Sequence, residues 1–385
     1  MGTAVDEITA EELVCDPYDV YRRLRDAGPC VWLAPAKRYV VARWDDVFAL
    51  DENRAFTAAE PDSLMTRAMG LSMLRSDGED HQRQRRAAHL VLRAKEFETY
   101  WSGMLASVAD ELLDEIEEAG RADLVRDFAG PYAARTLKLM LGLDDVADAD
   151  MQAWSQALID GVGNYADDAN VWRRCRDAGA GIDAAVARAR DHAREGTVIH
   201  AMLSDEAVTY DEVLANVKLF ISGGLNEPRD VIATTTWALL KDSEQAALVR
   251  ADPNAFAAAT EESLRWMSPI AMYPRYVSSD TRLGDVELAA GSRIGVLLAS
   301  ANRDERHWEL PDRFDLRRAT QRHIAFSRGP HICLGAFVAR QQVGRAALPR
   351  LFERLRGLRL ATGFEPRQVG WVFRGLATLE VTWRR

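Results

Sequence analysis

The sequence predicts a mainly α-helical protein with small β-sheets, folded as one domain over residues 1–385. Three observations support this prediction. Helical periodicity recurs along most of the chain, stretches with strand-like alternation are few and short, and no repeat, linker or low-complexity tract interrupts the pattern. The chain has 385 residues, of which 48% are hydrophobic, so it can bury a sizeable core. Length alone would suggest two or three domains.

The predicted elements follow from apolar spacing and from end signals, taken in chain order. One long helix is expected to begin at Thr209 and Glu212, which have the spacing of a capping box, and Gly120 is expected to end another. Helices are predicted at residues 16–26, 97–119, 132–141, 150–159, 167–195 and 209–240. Strands are predicted as a pair within residues 31–42 and at residues 285–288, 293–298 and 376–382.

Charge and cysteine content exclude several functional classes. The formal net charge is −10, which argues against nucleic-acid binding. The first residues carry neither a basic nor an apolar leader segment, and no apolar run approaches 18 residues, so neither a signal peptide nor a membrane-spanning helix is expected. The cysteines lack metal-binding spacing and are typical of reduced thiols, which predicts a cytoplasmic protein. They are Cys15, Cys30, Cys175 and Cys333.

Cys333 stands in the most informative segment, a short loop that also contains Phe326, Gly329 and Gly335. A helical pattern follows at once, so a thiolate here would lie at a helix N-terminus, where backbone N–H groups and the helix dipole lower the pKa of a thiol. The two glycines give backbone freedom and let a large planar ligand approach closely. These properties suit the thiolate ligand of a haem iron. The alternative is a small buried hydrophobic side chain, the usual state of a lone cysteine.

The pattern Phe-x-x-Gly-x-x-x-Cys-x-Gly at residues 326–335 resembles the haem-binding loop of cytochromes P450, in their soluble bacterial form. The resemblance implies the P450 fold, a triangular prism of helices around haem. It implies haem b (iron protoporphyrin IX) as cofactor, with Cys333 as the metal ligand. It also places Phe326, His331 and Gly335 among the cofactor-binding residues, with His331 as a donor to a haem propionate.

A second part of the resemblance is a structural triad. Glu262 and Arg265 are three residues apart, on one face of a predicted helix, and an isolated pair of this kind would be a minor surface ion pair. In P450s this pair is buried against a second arginine and braces the thiolate loop. The match assigns the second arginine to Arg313, with Arg318 as the alternative.

Haem propionates need cationic or N–H donors, and arginine is the best carboxylate partner. His81 and Arg85 are one helical turn apart, and a His-x-x-x-Arg at this place in the family binds a propionate. Arg275 matches a further propionate arginine. Singly, each would be a solvated side chain, but their order along the chain is that of the family.

The helix at residues 209–240 matches the oxygen-facing helix of the family but departs from its motif. An acid followed by an alcohol usually relays protons to dioxygen there, whereas this chain has Asn226 and Glu227. We therefore expect Gly224, Asn226 and Glu227 to be the catalytic residues, with Glu227 as proton donor if burial raises its pKa. Pro228 predicts a kink, because its ring clashes with the carbonyl of Gly224. The alternative is an ordinary surface carboxylate beside a helix break.

A narrower resemblance concerns the substrate. The Asn-Glu-Pro segment and residues 370–375 resemble bacterial P450s of the guaiacol O-demethylase type, which oxidise methoxy groups of small aromatic compounds. This implies hydroxylation or O-dealkylation of a small aromatic or apolar substrate with O2. Residues 56–73 and six further residues are expected in the substrate pocket. These are Leu219, Phe220, Gly223, Ile270, Met272 and Phe373.

The resemblance also implies a separate redox partner, because the sequence contains no reductase module. Residues 313–350 carry many arginines and a single acid, Asp315, which suits steering by an acidic ferredoxin or a flavin/iron–sulfur reductase. The alternative is that these basic side chains are simply exposed to solvent and have no role in binding a redox partner. The basic side chains are Arg317, Arg318, Arg322, Arg328, Arg340 and Arg345, with Arg83, Arg86, Arg93 and Lys95 in an earlier helix.

Three other functions stay open on the sequence alone. A carboxyl at Glu227 could support peroxide-driven turnover. The altered pair of Asn226 and Glu227 could instead belong to a haem-binding or ligand-sensing module without turnover. The third is a helical protein without haem, in which the cysteine loop arose by chance. A red-shifted Soret band in the reduced CO complex would identify haem-thiolate ligation.

Overall fold

The structure is a computed structural model that describes Val5 and residues 7–319 and 321–385. The predicted absence of a leader concerns the first residues of the chain, of which residues 1–4 and 6 lie outside the described residues. The described chain divides into two compact units, each built from segments that are distant in sequence. The single domain over residues 1–385 stays a prediction.

The described residues are mainly helical, as predicted. Their α-helices, in chain order, are α1 (Ala10–Cys15), α2 (Pro17–Ala27), α3 (Trp44–Glu52), α4 (Leu64–Met69), α5 (Gly78–His89), α6 (Ala94–Tyr100), α7 (Ser102–Ile116), α8 (Gly130–Leu141), α9 (Asp148–Val162), α10 (Ala169–Ala189), α11 (Val198–Leu203), α12 (Tyr210–Gly224), α13 (Asn226–Lys241), α14 (Ser243–Ala251), α15 (Ala255–Trp266), α16 (Leu298–Ala301), α17 (Ala336–Arg340) and α18 (Leu348–Arg354). Among them, none combines the length and hydrophobicity needed to cross a membrane.

The strands are short. They are β1 (Val31–Leu33), β2 (Arg38–Val41), β3 (Phe56–Thr57), β4 (Arg121–Asp123), β5 (Met272–Val277), β6 (Thr281–Leu283), β7 (Val286–Leu288), β8 (Arg293–Leu297), β9 (Arg359–Leu360), β10 (Gln368–Val369), β11 (Gly375–Leu376) and β12 (Glu380–Thr382). The predicted pair within residues 31–42 is confirmed as the antiparallel pair β1 and β2.

The first unit, within residues 1–60, 258–333 and 367–377, is built on a five-stranded sheet of order β1-β2-β8-β5-β3. Only the pair of β2 and β8 is parallel. Because side chains alternate along a strand, β5 directs Met272 into one hydrophobic cluster, while Tyr273 packs against another. Arg275 lies two residues beyond Tyr273, on the same face of the strand as Tyr273. This alternation positions part of the candidate site.

The second unit, within residues 61–257, 334–366 and 378–385, contains most of the helices and a small antiparallel sheet of order β4-β12-β9. Its helices share one large apolar cluster. Leu105 of α7, Leu137 of α8 and Leu158 of α9 belong to that cluster, together with Ile182 of α10 and Ile221 of α12. Burial of these amphipathic faces drives the packing of the unit.

Two predicted long helices are broken in the structure. The helix expected at residues 97–119 is divided at Trp101, whose buried indole N–H donates to the carbonyl of Val91 at 3.3 Å. Its expected end at Gly120 is confirmed by a left-handed glycine. The helix expected at residues 209–240 starts with the predicted capping box at Thr209 and is divided at Leu225.

Other boundaries also differ from expectation. The helix predicted at residues 167–195 is shorter, because it passes into a 3-10 turn at Arg190–His192. The strand predicted at residues 376–382 is two strands, β11 and β12. They belong to different sheets, because β11 pairs with β10 whereas β12 pairs with β4 and β9.

Candidate functional site

The cysteine loop is a closed turn in the first unit. The backbone N–H of Cys333 donates to the carbonyl of Phe326 at 2.9 Å, and the N–H of Ser327 donates to Ile324 at 2.8 Å. The backbone φ angle is 59° at Ser327 and 68° at Gly329, so both residues lie in the left-handed region. Glycine adopts this region without steric cost, which explains its presence at position 329. Cys333 is exposed. The turn therefore presents a reachable thiol three residues before α17 begins.

The start of this loop is anchored to the helix that carries the predicted triad. Asn302 accepts the backbone N–H of Ile324 at 2.9 Å and donates its amide N–H to the Ser268 hydroxyl at 2.9 Å. The carbonyl of Asn302 accepts from the Arg265 guanidinium at 3.0 Å. A continuous chain of hydrogen bonds thus links Arg265 to the loop. Sequence reasoning did not assign this role to Asn302.

Glu262 and Arg265 form the expected pair. Their bidentate contact has two N–H···O distances of 2.8 Å, and the side chains are 7% and 2% exposed. Arg265 also donates to the carbonyls of Pro311 and Arg313 at 2.8 and 3.0 Å. The Glu262 carboxylate accepts the backbone N–H of Asp315 at 2.9 Å. A buried charge pair is tolerated because its remaining polar atoms are satisfied in this way.

The second arginine of this cluster is Arg318, so the assignment to Arg313 is wrong and the alternative is confirmed. The Arg318 guanidinium donates to Glu262 at 3.1 Å, and its side chain is 14% exposed. Arg313 contributes only its carbonyl, because its side chain is 51% exposed and lies 3.9 Å from Asp315. A turn in which the Arg318 N–H donates to the carbonyl of Asp315 carries Arg318 inward.

The predicted propionate residues occur in both units. In the second unit, His81 is buried and Arg85 half-buried, one turn apart on α5 as expected. In the first unit, Arg275 is buried on β5, where its guanidinium lies 4.3 Å from the centre of the Tyr273 ring. His331 is half-buried in the cysteine loop.

Glu227 stands in the second unit at the start of α13, directly after the break at Leu225. Both of its carboxylate oxygens are buried, and neither has a hydrogen-bond partner among the described residues. Burial raises the pKa of Glu227 to about 8, helped by the neighbouring Asp230 and opposed by Arg229. The carboxyl group is therefore largely protonated at neutral pH and can donate a proton.

The break itself follows from Pro228 and Gly224. Proline has no N–H to donate to the carbonyl four residues earlier, so α12 ends at Gly224 and α13 begins at Asn226. A Cβ added to Gly224 would lie 3.2 Å from Leu137 of α8, so glycine permits close packing here. The predicted kink is thus present as an interruption between two helices.

Asn226 is engaged in packing. Its amide N–H donates to the hydroxyl of Ser155 on α9 at 2.9 Å, and the residue is 3% exposed.

One turn further along α13 lies Asp230, a buried acid that sequence reasoning missed. Both of its oxygens accept from Arg229, at 2.8 and 3.2 Å, and burial raises the pKa of Asp230 while Arg229 opposes the shift. In the sequence, Asp230 could have been recognised as an aspartate within a largely apolar helical segment.

The predicted pocket residues divide between the units. In the first, Ile270 and Phe373 meet in an antiparallel bridge. Met272 is 3% exposed and belongs to a core cluster, which gives it a packing role. In the second, Leu219 and Phe220 are half-buried on α12, and Gly223 is exposed. Their contact with a substrate stays a prediction.

Comparisons with known proteins identify the family of this chain. A family model described as cytochrome P450 matches residues 256–357, which include the Glu262 cluster and the cysteine loop. Cytochrome P450 107B1 of Saccharopolyspora erythraea is 30% identical over 324 residues, covering 81% of this chain and 77% of that protein. The cytochrome P450 monooxygenase PikC of Streptomyces venezuelae is 30% identical over 408 residues, covering 97% and 93%. The chain belongs to the cytochrome P450 family.

The solved structure of the P450 named CalO2 supports the same conclusion for the fold. It superposes with a TM-score of 0.88 at 28% identity and covers 100% of this chain and 99% of its own. The P450 fold predicted from the sequence is confirmed, and so is a monooxygenase with haem and a cysteine thiolate ligand. These findings favour the enzyme over the sensing module and over a helical protein without haem.

The described residues suit this cofactor. Cys333 offers an exposed sulfur, the donor that a P450 haem iron takes. A Cβ added at Gly329 or Gly335 would meet no described atom within 4 Å, so neither position is packed against neighbouring side chains. Within the described part of the chain, the Arg275 side chain makes one hydrogen bond, to the Pro274 carbonyl at 3.1 Å, and has further N–H groups for an anion. Haem, when bound, supplies the activation of dioxygen.

Proposed function

We propose that this P450 hydroxylates or O-dealkylates a small aromatic or apolar compound with O2, and that Glu227 supplies the protons for cleavage of dioxygen. The observation that carries this proposal is the buried Glu227 carboxyl group, which has no hydrogen-bond partner in the described chain. With its pKa raised to about 8, it holds a proton at neutral pH. A donor with a pKa near the working pH is the efficient one.

In this proposal the remaining residues bind the cofactor. Cys333 is the axial ligand of the haem iron, and Phe326 and Gly335 belong to the loop that receives the haem. His81, Arg85, Arg275 and His331 donate to the haem propionates. Glu262, Arg265 and Arg318 hold the loop in place through Asn302. Their geometry supports this role, since the hydrogen bonds from Arg265 continue through Asn302 to Ile324 at the start of the loop.

A small methoxylated aromatic compound is the proposed substrate class. Oxidation of its methoxy carbon would give a hemiacetal, which collapses to a phenol and formaldehyde. Two pairs of apolar residues suit contact with such a substrate, each within its own unit: the half-buried Leu219 and Phe220 in the second, and the bridged Ile270 and Phe373 in the first. Alkoxybenzoates, other small aromatics and terpenoids should be compared for their ability to shift the haem to high spin. A preference for terpenoids would overturn this substrate class.

The test of the proton donor is Glu227→Gln, with Glu206→Gln as control because Glu206 is an exposed carboxylate of the same unit. The amide has nearly the same shape but cannot deliver a proton. We expect the reductant consumed per product to rise about tenfold or more in Glu227→Gln, since acid catalysis contributes about 10²–10⁴-fold and even a partial loss of it would give such a rise. The ratio should stay constant in the control. Full coupling in Glu227→Gln would contradict the proposal.

Peroxide-driven turnover is a second candidate, favoured by the same buried carboxyl group. An acid that holds a proton could assist cleavage of bound peroxide as well as of reduced dioxygen. Product formed with hydrogen peroxide in place of a reductase, and lost in Glu227→Gln, would support it. Absence of product with peroxide would remove this candidate.

We propose a separate acidic ferredoxin or flavin/iron–sulfur reductase as electron donor. In the first unit Arg317 and Arg322 are exposed, whereas Arg318 is committed to Glu262 and Arg328 contacts Glu52 at 3.4 Å. In the second unit Arg86, Arg93, Lys95 and Arg345 are the exposed members of the predicted basic set, while Arg83 is paired with Glu212 at 2.6 Å. Exposed cations steer an acidic partner. Reduction by such a protein should slow steeply between low and physiological salt; a rate independent of salt would contradict this partner class.

A further inference from the structure

A buried carboxylate in the first unit has no role so far. The Asp51 side chain, near the end of α3, is 6% exposed. Its Oδ1 accepts the hydroxyl of Tyr273 at 3.1 Å, whereas its Oδ2 is buried without a hydrogen-bond partner among the described residues. Burial raises the pKa of Asp51. An unsatisfied buried oxygen is costly, which calls for a function.

The nearest cation to Asp51 is Arg275, but the two do not satisfy each other. Their closest N···O distance is 3.9 Å, beyond hydrogen-bond length, and the Arg275 side chain is 8% exposed. Among the described residues, the Arg275 guanidinium donates only to the carbonyl of Pro274, at 3.1 Å. It therefore keeps buried N–H groups for a second anion, which would bind beside Asp51.

Two further cationic groups act on Asp51, and both lie in the cysteine loop. Arg328 and His331 lower the pKa of Asp51 through their charge, after Arg275 and the Tyr273 hydroxyl. Arg328 is itself held by the carbonyl of Phe48 at 3.2 Å. On α3, the adjacent Glu52 is largely exposed and contacts Arg328 at 3.4 Å. Asp51 is thus the buried acid within a cationic group of side chains.

We propose that Asp51 is a further cofactor-binding residue, which holds a proton and donates it as a hydrogen bond from Oδ2 to the haem propionate that Arg275 binds. The proposal rests on the assignment of Arg275 to a propionate. A propionate bound at Arg275 would bring a second carboxylate close to Asp51, and the repulsion between two adjacent carboxylates favours the state in which one of them keeps a proton. Asp51 is that one, because its charge is already disfavoured by burial.

The alternative role for Asp51 is a charged counter-ion that orients Arg275. The two roles differ in the response to Asp51→Asn, because an asparagine amide can donate to a propionate but carries no charge. As a donor, Asp51 also loses its hydrogen bond when it ionises, so haem should be released faster at higher pH. Tyr273 and His331 are retained in every Asp51 variant, so a pH dependence of haem release that arose from either of them would persist in Asp51→Asn.

The experiment measures haem transfer from the holoenzyme to excess apomyoglobin between pH 6 and 9. We expect release from the wild type to accelerate with pH. Release from Asp51→Asn should lie within about threefold of the wild type at pH 6 and should lose that acceleration. Asp51→Leu, which cannot donate, should release haem about tenfold faster or more at pH 6. The control Asp46→Asn removes a half-buried acid of the same helix and should behave like the wild type.

Release from Asp51→Asn that is as fast as from Asp51→Leu would overturn the donor role in favour of the counter-ion. A loss of the pH dependence in Asp46→Asn would equally overturn it. Arg275→Gln separates the proposal from its premise, and we expect it to release haem faster than the wild type. Release at the wild-type rate would refute the assignment of Arg275 and Asp51 together. Fast release from Arg275→Gln with unchanged release from both Asp51 variants would refute Asp51 alone.

Discussion

Replacement of Glu227 by glutamine should change how the stability of this P450 depends on pH. The Glu227 carboxyl oxygens are buried and have no hydrogen-bond partner among the residues that the structure describes, and the pKa of the group rises from 4.5 to about 8. The charges near it are Asp230, which raises this pKa, and Arg229, which lowers it. In the unfolded chain the carboxyl group returns to its ordinary pKa.

The sign of the effect follows from proton binding. Between pH 4.5 and 8 the folded protein holds a proton on Glu227 that the unfolded chain releases. Unfolding therefore becomes easier as pH rises through this window. The stability that the folded protein gains from holding this proton is largest at the acidic end of the window. For a folded pKa of about 8, the wild type loses ~2 kcal/mol of unfolding free energy between pH 6 and 8 through this group. Glu227→Gln removes that loss.

The assay is urea unfolding at pH 6, 7 and 8, followed by tryptophan fluorescence, of the wild type, Glu227→Gln and Glu206→Gln. The quantity compared is the difference in unfolding free energy between each variant and the wild type. We expect this difference to shift by ~2 kcal/mol in favour of Glu227→Gln as pH rises from 6 to 8. The exposed Glu206 changes its surroundings little on unfolding, so its variant should show no such shift.

An independent readout is the infrared C=O band of a protonated carboxyl group. At pH 7 the wild type should show a component of this band that is absent from Glu227→Gln, and this component should disappear from the wild type above pH 8. If the unfolding free energies of the wild type and Glu227→Gln instead stay parallel from pH 6 to 8, the reasoning from burial is refuted. The proposed proton donor would then lose its physical basis.

Three further predictions follow from contacts in the site. Arg318→Ala should destabilise the protein by about 1.5–3 kcal/mol in urea unfolding and lower haem content, because it removes one charge-assisted hydrogen bond from the buried Glu262 carboxylate, which keeps only its contacts with Arg265 and Asp315. Arg313→Ala should do neither, since that side chain is half exposed. Cys333→Ser should abolish the red-shifted Soret band of the reduced CO complex, whereas Cys15→Ser should retain it. Ser155→Ala should cost about 1–2 kcal/mol of unfolding free energy by breaking the hydrogen bond from α9 to α13, and an unchanged urea midpoint would contradict that role.

Features that depend on neighbours in sequence were predictable. The capping box at Thr209 requires only a residue three positions away, and the contact of Glu262 with Arg265 requires only helical spacing. The break near Gly224 could be predicted from Pro228, because a missing N–H acts on a fixed position four residues earlier. Local rules of this kind hold wherever the helix forms.

Features that depend on tertiary packing were not predictable. Arg313 and Arg318 occupy the same loop, and spacing does not say which of them turns inward to Glu262. That choice depends on a turn closed between Asp315 and Arg318. Asp51 could not be assigned either, since its neighbour Tyr273 is 222 residues away along the chain. Such pairs are set by sheet order and helix placement, on which a single sequence carries little information.

The position of the acid and the break in the helix belong to one arrangement. In an unbroken helix, a shift by one residue rotates a side chain by about 100°, so moving the acid to Glu227 would turn it to another face. Here Leu225 interrupts the regular helix, with φ −112° and ψ −55°. The direction in which a residue after the break points is therefore not set by the rotation of α12. Asn226 then uses its amide to hold α9 through Ser155, and both oxygens of Glu227 lack a hydrogen-bond partner in the described chain. Two adjacent residues thus differ in role, since Asn226 serves packing and Glu227 is left available as the proposed proton donor.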